Sequence, residues 1–144
     1  MCLLLPLVWL MACAKQEPEP RLQLSVAVVR SALTNIVESQ LAALRTNDYA
    51  TAYTFATAGI QEKFPPRVFE QMVKTGYPII AASRSARFGD CFDNGRKAIV
   101  NATVMGRGGQ TVECQYLLEL EGGRWKIAGV IQRKEERNPA AVEV

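Results

Sequence analysis

Residues 111–121 read TVECQYLLELE, and their alternation decides the fold. Val112, Cys114, Tyr116, Leu118 and Leu120 fall on one side of an extended chain, while Glu113, Gln115, Glu119 and Glu121 fall on the other. Successive side chains of a strand point to opposite faces, so this stretch reads as a strand with one face on a core and one in water. Outward from it, Gly122-Gly123 leads to a strand at Arg124–Arg133, and Gly106-Arg107-Gly108-Gly109 leads back to one at Lys97–Met105. Asp93-Asn94-Gly95 then leads back to a fourth at Ser83–Phe92. Such short turns can join only antiparallel neighbours, because parallel strands need a long crossover. The expected sheet is a four-stranded antiparallel meander with one face free for helices.

Upstream the period changes. Leu22, Val26, Val29, Leu33, Ile36, Val37, Leu41 and Leu44 recur three and four residues apart, which predicts one long helix from Leu22 to Arg45. Asp48 is a fitting N-cap for a short helix over Tyr49–Thr57. Pro65-Pro66 suits the first turn of a third helix reaching about Thr75, with Gly76 as its C-cap and Tyr77-Pro78 as an extended exit. Three N-terminal helices packed on a four-stranded antiparallel sheet make an α+β domain over residues 22–133. Residues 134–144 read as a polar tail, and Arg133-Lys134-Glu135-Glu136-Arg137 as a solvated run of mixed sign.

The chain has 144 residues, 49% hydrophobic, with 17 basic residues against 14 acidic and no histidine. That length supports one core without metals or disulfides. Without histidine there is no Ser-His-Asp or Cys-His catalysis, and most zinc and haem sites are excluded. We expect no metal or cofactor. The basic residues are spread out and form no stripe, so nucleic acid is not an expected partner. The glycines at 106–109 join two strands with no helix after them, which makes them a hairpin and not a phosphate loop.

Residues 2–12, CLLLPLVWLMA, are apolar and uncharged. As a helix they would rise about 16 Å, roughly half a bilayer core, a length that suits a signal peptide over residues 1–12. Leu10-Met11-Ala12-Cys13 resembles a bacterial lipobox, although Met11 is bulky and no basic residue precedes the apolar run. The resemblance implies a lipid on Cys13, with residues 13–21 as lipidated cysteine and polar tether. By resemblance to enteric lipoproteins, Ala14 in place of an aspartate implies the periplasmic side of the outer membrane more than the inner. Cleavage at Ala12-Cys13-Ala14 to leave a soluble exported protein, or a buried N-terminal helix, are the alternatives.

The closing GGRWKIAGV, Gly122 to Val130, resembles the final hairpin of the nuclear-transport-factor-2-like, or cystatin-like, cone superfamily. Glu38 to Leu44, with Asn47-Asp48-Tyr49-Ala50-Thr51-Ala52-Tyr53, is similar to that fold's opening helices. FEQMVKTGYP, Phe69 to Pro78, resembles an uncharacterised bacterial domain family within it. The resemblance implies a curved, cone-like sheet with a pocket beneath the helices. It also implies that a homodimer or a protein partner on the outer sheet face is open to this chain.

Enzymes of that superfamily use an inward carboxylate with a hydroxyl, or an Asp–His pair that this chain cannot form. Asp90 alternates with Phe88 and Phe92, and Tyr116 lies on the apolar face of its strand, so Asp90 and Tyr116 are the catalytic candidates for proton transfer. The plainer reading places Asp90 in water beside a turn. An open cavity with Asp90 or Glu38 buried inside it would favour the enzyme.

Tyr49, Tyr53, Phe55, Phe64, Phe69, Tyr77 and Trp125 make the helical half aromatic, mostly as core. Tyr53, Phe69, Met72, Tyr77 and Tyr116 are the ligand-binding candidates. Cys91 should lie opposite Lys97 or Ala98, and Cys114 near Asn101, which separates the two by a whole strand and disfavours a disulfide. The leading expectation is a non-catalytic exported domain that binds a partner protein or a small apolar ligand. A small enzyme working through a carboxylate and a tyrosine is the alternative.

Overall fold

A computed structural model describes residues 17–133. The signal segment, Cys13 and the 134–144 tail lie outside the described residues. The elements run β1 (Gln23–Leu24), α1 (Ala27–Arg45), α2 (Tyr49–Thr54), α3 (Ala58–Lys63), α4 (Pro66–Gly76), α5 (Pro78–Ala81), β2 (Ser83–Asp93), β3 (Lys97–Gly106), β4 (Thr111–Glu121) and β5 (Arg124–Gln132). The strands form one antiparallel sheet in the order β1-β2-β3-β4-β5. The α+β layout of helices followed by an antiparallel sheet is as expected, with two helices and one strand more among the described residues than the sequence pattern shows.

The four long strands end within a residue of their expected bounds, and β3 and β4 follow the alternation most closely. Gly122 and Gly123 both adopt positive φ, 56° and 77°, the primed turn geometry that matches strand twist and that glycine takes without steric cost. The helical half needs correcting. Residues 22–26 are not helical: Gln23 and Leu24 pair with Asp93 and Phe92, and the Ser25 amide donates to the Cys91 carbonyl at 2.8 Å. The open edge of β2 offers backbone bonds that outweigh a weak helical period at a chain end.

The second helix stops at Thr54, because Ala56 bridges to Ile127 and the Thr57 amide donates to the Ile127 carbonyl at 2.9 Å. The Thr57 hydroxyl then accepts from the Ile60 amide and caps a separate α3. Tyr77-Pro78 is not an extended exit. Tyr77 itself leaves the helical region, at φ −135° and ψ 54°, but Pro78 is the first residue of α5, where its missing N–H is no loss.

The core lies between α1 and the inward face of the sheet. Leu33, Val37, Leu41 and Leu44 meet Val100, Val104, Tyr116 and Leu118, all fully or almost fully buried. Leu120 departs from the expected apolar face: it lies at the sheet's end and is 40% exposed.

A bulge sets the phase of β2. Phe88 pairs with Ala102 but Cys91 pairs with Val100, so three residues on β2 span two on β3. Side chains beyond the bulge change face. Cys91 therefore turns inward and is buried, while Asp90 is exposed. Asp90 is thus not the inward carboxylate that strict alternation with Phe88 and Phe92 would give. The irregular backbone is tied down from both sides. The Arg30 guanidinium on α1 donates to the Phe88 and Gly89 carbonyls at 3.2 and 2.9 Å, and Asn101 Nδ2 donates to the Asp90 carbonyl at 2.9 Å.

The cysteine register also differs from the expected one, because the turn after β2 pairs Asp93 with Ala98. Cys91 lies opposite Val100 instead of Lys97 or Ala98, and Cys114 opposite Ala102 instead of Asn101. Both thiols are free and buried, with β3 between their strands.

Candidate functional site

The short helices do not fill the space that α1 leaves over β5. α3, α4 and α5 hold six, eleven and four residues, and they enclose an apolar pocket of about 160 Å3 against β5 and the end of α1. Phe69, Met72 and Val73 reach it from α4 because positions three and four apart share a helix face. Ile60 and Phe64 close it from the α3 side, and Ile127 and Val130 form the floor on β5.

Gln40 is the pocket's polar contribution from α1. It is 6% exposed, and its Nε2 donates to the Ala52 carbonyl at 3.2 Å. That bond fixes the amide and leaves its carbonyl oxygen as an acceptor at the pocket wall. Tyr77 stands at the wall too, with its hydroxyl donating to the Val130 carbonyl at 3.2 Å. None of the residues lining the pocket is Asp or Glu.

The expected site residues divide. Phe69, Met72 and Tyr77 line the pocket together. Tyr53 does not: its hydroxyl lies 2.8 Å from the Gln61 carbonyl and 2.9 Å from the Phe64 carbonyl, and its ring packs edge-on against Phe69 at 5.1 Å. It braces the connection from α3 to α4 and holds the pocket wall from behind. Tyr116 is core. It is fully buried between the sheet and α1, and its hydroxyl has no hydrogen-bond partner. Burial, with Cys114 and Glu38 acting in the same direction, pushes its phenol well above the usual range, and Arg45 offsets this only in part.

The catalytic pairing fails on geometry, since Asp90 is exposed beyond the bulge whereas Tyr116 points into the core. Glu38 is not buried in a cavity either. It pairs with Arg45 at the flank of α1, with 43% of its side chain exposed. Arg45 Nε and Nη2 and Ser83 Oγ are further buried polar atoms without partners. Burial raises the Cys91 thiol and pushes Cys114 up to about 11, the direction opposite to that of an activated nucleophile.

The outer face of the sheet carries a more open groove of about 350 Å3. Its walls are mixed, and their polar groups are bonded to one another: Gln115 Nε2 donates to Asn101 Oδ1 at 3.0 Å, and Arg133 pairs with Glu113 at 3.1 Å. Among the described residues no group of His, Cys, Asp and Glu could hold a metal ion.

Gln40, Ile60, Phe64, Ile127 and Val130 are pocket residues that sequence reasoning did not single out. Spacing identifies Phe69, Met72 and Val73 as one face, but only the tertiary fold shows that the other wall comes from β5.

A comparison with curated proteins finds no match. Among solved structures, Aln2 from a Streptomyces species is similar with a TM-score of 0.49 and 11% identity, over 78% of this chain and 94% of that one. Residues 28–140, from the first turn of α1 to beyond β5, match the family described as a domain of unknown function, DUF4864, and the chain belongs to that family.

Proposed function

We propose that this chain is an exported, lipid-anchored domain that binds a small apolar molecule in the pocket between α3, α4 and β5. The observation that carries the reading is an apolar pocket of about 160 Å3 bearing one anchored amide. A dry apolar cavity of roughly 150 Å3 admits a benzene-sized guest, whereas drug-sized ligands occupy about 300–1,000 Å3. The guest is therefore a single ring or a short branched chain, with one donor to meet the Gln40 carbonyl. Proton transfer would find no carboxylate in this lining, which favours binding over catalysis. The resemblance to the nuclear-transport-factor-2-like cone supports the same reading, because that architecture keeps its pocket between helices and sheet. The lipobox-like LMAC at residues 10–13 supports an anchor at Cys13 on the periplasmic side of the envelope.

Titration with toluene, followed at the methionine methyl groups, tests the pocket. The Met72 methyl should shift and the methyl of Met105, on the far side of the sheet, should not. Val73→Phe should abolish the shift by filling the cavity, whereas Val68→Phe on the exposed side of α4 should leave it intact. A Met72 methyl unmoved at millimolar toluene, in a folded protein, would overturn the reading.

A further inference from the structure

Exposed large apolar side chains are not scattered over this molecule. Among the described residues eight stand out, and four lie within seven positions: Leu22 at 40%, Leu24 at 64%, Val26 at 65% and Val28 at 76%. Soluble domains rarely expose such a contiguous set without a use for it. Leu24 and Val26 line one open groove with Val29 and Pro20, and Leu22 and Val28 flank them in sequence.

The local chemistry favours exposure over stability. α1 opens on Val26 with no side-chain cap and no acidic residue in its first turn. Ser, Thr, Asp or Asn would stabilise the helix there, so valine sacrifices helix energy to present a methyl-rich surface. Among the described residues β1 pairs only with β2, and no strand lies on its other edge.

The surroundings indicate what covers the patch. Asn94 Nδ2 donates to the Pro20 carbonyl at 2.9 Å, so the β2–β3 turn lies beside the entering chain. Arg21, and Arg96 on that turn, are exposed and form no ion pair among the described residues. The acidic groups nearby are engaged: Glu19 pairs with Lys97 at 3.2 Å, and Asp93 accepts from the Ser25 hydroxyl and the Gly95 amide. Glu17 stands further out along the entering chain and is exposed. The patch thus combines apolar side chains with two free cations, the composition that seats at a headgroup–acyl boundary. Its position agrees. Nine residue steps separate Leu22 from Cys13, which keeps the patch within about 30 Å of an anchor there even when the link is fully extended.

We propose that Leu22, Leu24, Val26 and Val28, flanked by Arg21 and Arg96, dock this domain edge-on against the surface of an anionic phospholipid bilayer. The proposal rests on the anchor reading for proximity but makes a separate claim, namely which side of the domain faces the lipid. Docked this way, β1 and the start of α1 lie on the bilayer.

The test uses the full chain with spin labels at Leu24→Cys or Val28→Cys, and controls at Val68→Cys and Ile131→Cys, on phosphatidylethanolamine–phosphatidylglycerol vesicles. Buried Cys91 and Cys114 stay unlabelled; Cys13 is blocked by its acyl group or, on an unacylated chain, replaced by serine together with Cys2. Labels at 24 and 28 should become several-fold less accessible to an aqueous nickel reagent and more accessible to oxygen, while 68 and 131 stay in water. Adding Val26→Ser and Val28→Gln to the Leu24→Cys chain should return the label to water, and since serine improves the helix cap this variant cannot fail through unfolding. Labels at 24 and 28 as wet as those at 68 overturn the proposal, as does spin–spin broadening at 24 without vesicles, which would place a second copy on the β1 edge. The mass of Cys13 separates the two readings: an acylated chain with wet labels keeps the anchor and loses the docking. An unacylated chain whose labels enter lipid keeps the docking and loses the anchor; no acyl group and no vesicle binding defeats both.

Discussion

The two sides of α1 are packed on different terms. Towards β3 and β4, Leu33, Val37 and Leu41 meet Val100, Val104 and Tyr116, and every one of these is fully buried. Towards β5 and α4, the same helix contributes Gln40 and Leu44 to the wall of a pocket of about 160 Å3. The first side joins a nineteen-residue helix to strands of ten and eleven residues, whose regular surfaces interdigitate along their length. The second joins it to helices of six, eleven and four residues, each ending before it can complete a packed ridge. Length and regularity produce the dry side, and their absence produces the side that can admit a guest.

Truncation on the two sides should therefore cost very different amounts. Leu41→Ala removes a fully buried side chain from surroundings that cannot collapse, and should lower stability by about 3–4 kcal/mol in urea unfolding. Met72→Ala enlarges a space that already exists around a half-buried side chain, and should cost about 1 kcal/mol. Equal losses at the two positions would mean that the pocket is closed in solution, and would remove the contrast.

The dry side was far more legible in the sequence. Period-two alternation from Val112 to Leu118 translates directly into an inward face, and the turns at Gly95 and Gly122-Gly123 fix the strand ends. What the pattern missed has physical causes. The β1 pairing of Gln23 and Leu24 rests on two residues, too few to show a period, and a helical spacing happens to run through them. Gly59, a poor helix former, hides α3, which Thr57 caps. Pro78 reads as an exit although it starts a helix. The bulge at Gly89 and Asp90 inverts the facing of everything after it, so a correct strand still gave a wrong face for Asp90. Of the candidate ligand residues, the three that line the pocket lie on α4 and its C-cap, where helical spacing is unambiguous. Tyr53 turns its hydroxyl to the Gln61 and Phe64 carbonyls of the next helical connection, and Tyr116 is enclosed by α1, neither of which a residue pattern displays.

Alkaline pH probes the dry side through its thiol. Burial pushes Cys114 up to about 11, above its ordinary value near 9, so the folded state holds a proton that the unfolded chain releases. Its stability contribution is whole below pH 9 and is lost as pH rises towards 11, by up to about 2 kcal/mol. Urea midpoints measured across that window should fall, and Cys114→Ala should flatten the slope. An unchanged slope in the variant would show that the thiol reaches water and that this side is less dry than its packing indicates.

Tyr116→Phe makes the smallest and most diagnostic change, because it deletes one oxygen at the centre of the dry side. That hydroxyl is buried without a hydrogen-bond partner, so the native state bears its desolvation and recovers nothing from a bond. Phenylalanine should therefore raise stability by about 1 kcal/mol in place of the loss usual for a core substitution. It should also lessen the fall in stability above pH 10, where the unfolded tyrosine ionises and the buried phenol, pushed above that range, does not. A destabilised Tyr116→Phe would mean instead that the hydroxyl has a partner in solution, with Arg45 Nε and Nη2 and the Ser83 hydroxyl as the first groups to examine. The dry side would then contain a polar network, and α1 would separate two sites instead of a core and a pocket.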